Sequence, residues 1–248
     1  MRHSLACILA CTCLAILTSH AQEQKDATAF AVEQCGDIDA CNKLAQAGNA
    51  EAQYRVAKWH QFEDKSDKHF EEAAKWYKLA AEQNHREAQF RLANLYIDGQ
   101  GLPASYSSYL IWIEKSAKNG YSYAEYMLGD HYGLSVYGNF GMKEPDYKEA
   151  LIWYLKAAEQ GHVFAQTKAG FYFLKGLGTK KDLARAYFWL GIARDRNFGP
   201  ANKVLEENKK KFTPDITIHG EDQIKQWKLE HPAEVPFNVP QSFFLRMP

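Results

Sequence analysis

A repeat of fixed step constrains this chain more than any other feature of its sequence. Trp76, Trp112, Trp153 and Trp189 stand 36, 41 and 36 residues apart, and the fullest of the segments around them is 149–162, EALIWYLKAAEQGH. A second series, Ala52, Ala88, Ala124, Ala165 and Ala201, advances by 36, 36, 41 and 36. Two residue types that keep one period and absorb the same insertion define a repeat architecture, in which each unit buries its apolar face against its neighbours.

Each repeat reads as two helices. The first starts at the ladder alanine and covers 52–59, 88–96, 124–132 and 165–173. Offsets +4, +5 and +8 from that alanine form one helical face, and +5 is always Ala or Gly (Ala57, Ala93, Gly129, Gly170), as close backbone approach requires. The second helix carries the tryptophan and then paired small residues, Ala80-Ala81, Ser116-Ala117 and Ala157-Ala158. A large aromatic facing alanine is expected to interlock adjacent helix pairs. Glycines at Gly99 and Gly101, Gly138 and Gly141, and Gly176 and Gly178 mark the turns between the two helices, where positive φ is needed. A phosphate-binding loop is the competing reading of GxG, but no Lys-Ser/Thr follows and no strand precedes.

With its A-x-x-x-L-G-x-x-Y helix, GxG turn and A-x-x-W-Y-x-x-A-A-E-Q-G-H helix, the chain resembles the Sel1-like repeat family, a relative of the tetratricopeptide repeats. The third copy matches best, through Ala124, Leu128, Gly129, Tyr132, Gly141, Ala150, Trp153, Tyr154, Ala157, Ala158, Gly161 and His162. The resemblance implies an all-α, right-handed α-solenoid of about four repeats, of the kind that mostly serves as a protein-binding adaptor. Departures from it are the missing GxG in the first copy, Ala193-Arg194 in the fourth and five extra residues in the third.

Residues 1–21 read as a signal peptide: Arg2 and His3, an apolar run over 5–17, and Ser19-His20-Ala21 before the cut. The competing readings are a membrane anchor, for which the run is short, and a lipoprotein signal, since Ile8-Leu9-Ala10-Cys11 loosely resembles a lipobox. Export to the periplasm, or secretion, follows. Residues 22–48 are then expected to form capping helices, with Asp37 as an N-cap, 49–201 the repeats, and 202–248 C-terminal capping helices with a Pro-rich tail. Only Cys35 and Cys41 remain after the leader, and in an oxidising compartment one disulfide is the simplest outcome, tying down the N-terminal end; a metal pair lacks further Cys or a nearby His. A helix is expected at 202–212, a break at Thr213-Pro214-Asp215, and a last helix at 221–230.

Thirty basic and thirty acidic residues leave no strongly basic surface for nucleic acid. The sequence has no GxSxG elbow, HExxH or nucleotide loop in context, no metal or other cofactor is expected, and the reading is of a protein that is not an enzyme. His85 and His162 share one repeat position, which favours a turn role. Binding is read from the first helices, where offsets +3, +6 and +7 point away from the packed stripe toward an expected concave wall. The candidate partner-binding residues there are Arg55, Trp59, Arg91, Leu95, Met127, Asp130, His131, Phe171 and Tyr172, joined by Tyr137 and Phe140 of the inserted loop. Among exported relatives two roles fit the resemblance. One is an immunity protein that neutralises a type VI secretion effector, such as a phospholipase; the other is an adaptor or virulence factor that engages envelope or host proteins. An envelope hydrolase is the cross-class alternative.

Overall fold

The computed structural model describes residues 37–64, 68–133 and 144–232. The expected signal peptide, Cys35, the inserted loop with Tyr137 and Phe140, and the tail from 233 onward lie outside the described residues.

All described secondary structure is helical, and the chain divides into two compact units at Asn119/Gly120. The first holds α1 (Ile38–Gln46), α2 (Ala50–Phe62), α3 (His69–Glu82), α4 (Arg86–Asp98) and α5 (Tyr106–Lys118), each packed on the next. The second holds α6 (Ser122–Gly133), α7 (Tyr147–Glu159), α8 (Val163–Lys175), α9 (Leu183–Asp195), α10 (Gly199–Asn208) and α11 (Pro214–Glu230), with a short 3₁₀ turn at Lys209–Lys211. There α6 to α9 pack in order, and α9 also receives both α10 and α11.

The ladder alanines are explained by capping as well as packing. Each first helix starts two residues before its alanine, and in three of them the side chain of the residue ahead caps it. Asn49 Oδ1 accepts from the Ala52 amide at 2.8 Å, His85 Nδ1 from Ala88 at 3.2 Å, and His162 Nδ1 from Ala165 at 3.3 Å. The alanine amide is one of the four donors a helix start leaves unpaired, and its methyl is buried, so no larger side chain fits. Second helices use ordinary caps: Ser105, Asp146 and Asp182.

Immediately after the ladder alanine stands a buried polar residue: Gln53, Gln89, Glu125 and Gln166. The amides of Gln53, Gln89 and Gln166 donate to the carbonyls of Ala45, Ala81 and Ala158, strapping each first helix to the end of the preceding helix. Gln83 and Asn119 close the other side by donating to Gln53 and Gln89, and Gln160 does the same for Glu125 at 2.6 Å. In the fourth copy the corresponding residue is Arg196, which donates instead to the Gly161 carbonyl at 2.7 Å, leaving Gln166 Oε1 buried without a hydrogen-bond partner among the described residues.

The GxG turns use their two glycines differently. Gly99 and Gly176 end their helices in the left-handed conformation, at φ 68° and 75°. Gly101 and Gly178 also have positive φ, and a Cβ on them would overlap the carbonyls of Phe70 and Tyr147, at the start of the preceding second helix. The second glycine therefore exists for close approach.

The +4, +5 and +8 stripe packs inward as the periodicity predicts. Val56, Ala57, Leu92, Ala93, Leu128, Ala169 and Phe173 are buried, and a Cβ on Gly129 would lie 2.6 Å from the Tyr154 ring. That last contact corrects the expectation about tryptophan. The residue facing the small position is the one after Trp: Tyr77, Ile113, Tyr154 and Leu190 are fully buried in one register. Trp76 and Trp112 are only partly buried, and Lys115 and Lys156 lie over the Trp112 and Trp153 rings at 4.2 and 4.0 Å. Trp76 and Trp112 border the core, Trp153 and Trp189 are buried at its edge, and the next residue is fully buried in every copy.

At the C-terminal end the last helix begins at Pro214, seven residues before the expected start. Thr213-Pro214 ends one helix but also begins the next: Thr213 Oγ1 accepts from the Ile216 amide, and Pro214 occupies the first turn, where no donor is needed. Arg194, standing where earlier copies have alanine, makes a two-pronged ion pair with Glu221 of α11 at 2.8 and 3.0 Å. The fourth repeat's departure from the pattern is thus the docking point of a terminal helix.

Candidate functional site

The outward side chains of the first helices form the candidate surface, and each unit carries its own part. In the first unit α2 and α4 contribute Arg55, Lys58, Trp59, Phe62 and Arg91. Trp59 is 37% exposed and Phe62 58%. The Arg91 guanidinium sits 5.6 Å from the Phe62 ring centre, and Lys58 Nζ 5.7 Å from that of Tyr54. Arg55 is bonded to Glu51 at 2.9 Å. His85 Nε2, 2.9 Å from the other Glu51 oxygen, is the main reason that carboxyl is held down to about 2, with Arg55 assisting.

Leu95 does not belong to this surface. It is fully buried, in the cluster of Ala57, Tyr77 and Leu92, because offset +7 adjoins the inner stripe at +4 and +8 and the α4 backbone turns it inward. Its sequence equivalent Trp59 stays on the surface; the two show that +7 is a boundary position.

In the second unit the same positions divide again. Phe171 is 37% exposed, with Lys175 over its ring at 5.6 Å. Tyr172 is 4% exposed and part of the core, edge-on to Tyr154 at 5.2 Å and to Tyr147 at 5.9 Å. Burial pushes its hydroxyl up to about 12. The expectation that it faces outward is therefore corrected, for the reason given for Leu95. Met127 is half-buried and packs on the same core. Asp130 accepts a 2.6 Å hydrogen bond from the Tyr154 hydroxyl and pairs with Lys168 at 3.3 Å, so its carboxylate is committed to the frame. His131 is half-buried, edge-on to Tyr132 at 5.2 Å. Lys58 stands at the outward offset +6, as the periodicity predicts; sequence reasoning missed Phe62, which falls in the last turn of α2, beyond the three offsets considered.

His162 is the most perturbed histidine. It caps α8 through Nδ1, stacks on Tyr126 at 4.8 Å and lies inside the core, where loss of water pushes its pKa down to about 3. This fits the turn role expected from its repeat position. Among the described residues no group of three or more His, Cys, Asp or Glu is placed to hold a metal ion, and no helix is long and apolar enough to cross a membrane.

These features define the class first: an all-α protein of stacked helix pairs whose internal polar groups are largely spent on one another. The family follows from the comparisons. The Sel1 repeat is matched at residues 50–85, 86–121, 122–162 and 163–198, more than half of the chain, and the chain belongs to the Sel1 repeat family. It is 27% identical over 209 residues to the uncharacterized protein NMB1327 of Neisseria meningitidis, which covers 73% of this chain and 43% of that protein. The solved Sel1 repeat protein from Oxalobacter formigenes is similar at 28% identity and a TM-score of 0.62, covering 68% of this chain and 48% of that one. The uropathogenic Escherichia coli protective antigen c5321, an SLR fold, is similar at 23% identity and a TM-score of 0.52, covering 85% of this chain and 51% of that one. The chain spans about half the length of these relatives or less.

Proposed function

We propose that this protein is a non-catalytic, protein-binding repeat scaffold of the bacterial envelope, exported to the periplasm by its leader and tied at its N-terminal end by a Cys35–Cys41 disulfide. The observation that carries the reading is the contrast between frame and surface. Buried polar groups such as Gln53, Gln89 and Asp130 are paired internally, while Trp59, Phe62 and Phe171 stand exposed on the first helices, the latter two with Arg91 and Lys175 over their rings. Large aromatics that the frame does not use, set among charges, are the composition of a protein interface.

In its narrower form the proposal is an immunity protein that grips a type VI secretion effector, such as a phospholipase, and covers its active-site entrance. Membership of a binding-repeat family, near-neutral charge and a sequence without a catalytic motif support that form. The test is affinity capture of the purified protein's partners from periplasmic and secreted fractions, read by mass spectrometry, followed by co-expression with the captured protein. One stoichiometric effector whose toxicity is suppressed is the expected result. A set of envelope or host proteins would replace immunity with an adaptor role, and turnover of envelope material by the protein alone would overturn both.

A further inference from the structure

We infer that the α2–α4 face of the first unit recognises an acidic segment of a protein partner, one whose carboxylates alternate with apolar side chains. The inference rests on the protein-binding reading above and adds the chemistry of the partner to it.

Five residues make the face: Arg55, Lys58, Trp59, Phe62 and Arg91. The carboxylates at the starts of the two helices are already engaged; at the far ends lie Glu63, Asp64, which is bonded to His60, and Asp98. Glu51 accepts from Arg55 and His85, and Glu87 from Arg86. The two cations further along are different. Among the described residues neither Lys58 nor Arg91 is within ion-pair distance of a carboxylate; each is held by an aromatic ring, Tyr54 for Lys58 and Phe62 for Arg91. Arg91 thereby reaches from α4 to α2, where it also interacts with the Tyr54 hydroxyl.

A cation held over a ring keeps its N–H donors while losing rotamer freedom, so little entropy remains to be lost when an anion arrives. Arginine in that position presents a planar fork matched to a carboxylate. Trp59 and Phe62 lie on the same stretch of α2 and offer exposed apolar area to the side chains between the carboxylates. The charge of the face therefore selects an acidic partner, and its rings select one that is not purely acidic.

The test uses a fluorescein-labelled peptide of three Asp-Phe-Glu-Leu repeats, its Asn-Phe-Gln-Leu counterpart, and phosphatidylglycerol vesicles. The proteins are wild type, the double variant Lys58→Gln/Arg91→Gln, and the control Lys209→Gln/Lys210→Gln, with helicity checked by circular dichroism. Anisotropy is expected to show the acidic peptide binding at least about tenfold more tightly than the amide peptide, with a loss of roughly tenfold in the double variant and none in the control. Equal binding of the two peptides, no peptide binding, or an unchanged affinity in the double variant overturns the inference. So does sedimentation with vesicles that depends on Lys58 and Arg91 while the peptide does not bind. A partner captured equally by wild type and double variant would leave the protein-binding reading intact and remove this face from it. Failure to capture any protein would instead remove that reading.

Discussion

Lowering the pH should weaken the second unit through one histidine. His162 is inside the core, caps α8 as an acceptor through Nδ1 and has a folded pKa of about 3, against 6.5 for an exposed imidazole. The folded state therefore resists a proton that the unfolded chain accepts. The stability this represents is fully present above pH 6.5 and is lost as pH falls through the window between 6.5 and 3. At 1.36 kcal/mol per unit, the loss between neutrality and pH 5 is about 2 kcal/mol. Asn49 caps α2 at the same repeat position with a side chain that does not titrate, so His162→Asn is the matching control. Urea unfolding of both proteins at several pH values between about 7.5 and 5, followed by tryptophan fluorescence, measures the effect. The variant is expected to be less stable at pH 7.5, since it loses the stack on Tyr126, but to be nearly flat with pH. The same pH slope in both proteins would refute the argument, as would an imidazole resonance of His162 that titrates near 6.5 in the folded state.

Other perturbations have outcomes set by the same geometry. Gly101→Ala must place a methyl on the Phe70 carbonyl at positive φ, and a loss of about 2–3 kcal/mol is expected in thermal or urea unfolding; Gly199→Ala, which meets open space, should cost less than about 1 kcal/mol. Tyr154→Ala should cost about 3–5 kcal/mol, and more than Trp112→Ala, because Tyr154 is fully buried and Trp112 only partly so. Tyr172→Ala should destabilise the fold while Phe171→Ala leaves it within about 0.5 kcal/mol of wild type, which chemical denaturation separates. If the proposed export holds, thiol labelling of protein recovered from the periplasm under denaturing conditions should find no free cysteine until a reductant is added.

The frame was legible in the sequence because each of its features recurs. The period, the small residue at +5 and the glycine pairs are each written at least three times, and histidine stands at one repeat position twice, as His85 and His162. The Gln53–Gln89–Glu125–Gln166 register is equally written, directly after the ladder alanine, but does not signal burial on its own because buried glutamine is uncommon. What could not be read were properties that a small rotation of a helix decides. Trp59 and Leu95 share one offset and have opposite exposures, as do the neighbours Phe171 and Tyr172. Periodicity gives a face to within one residue, while burial at its edge depends on which helix lies alongside. The order of burial between Trp153 and Tyr154 was likewise invisible, since both are large aromatics on adjacent positions. Thr213-Pro214 is ambiguous for a different reason: proline ends a helix and also starts one, and the sequence alone favours neither.

The central claim is that the first helices bind a protein while the second helices hold the frame. Hydrogen–deuterium exchange of the captured complex, resolved by peptide, tests it most directly. Added protection is expected along α2 and α4 and along α8 around Phe171, with α3, α5, α7 and α9 unchanged. Protection confined to the tryptophan-bearing helices, or exchange that no captured protein alters, would contradict it.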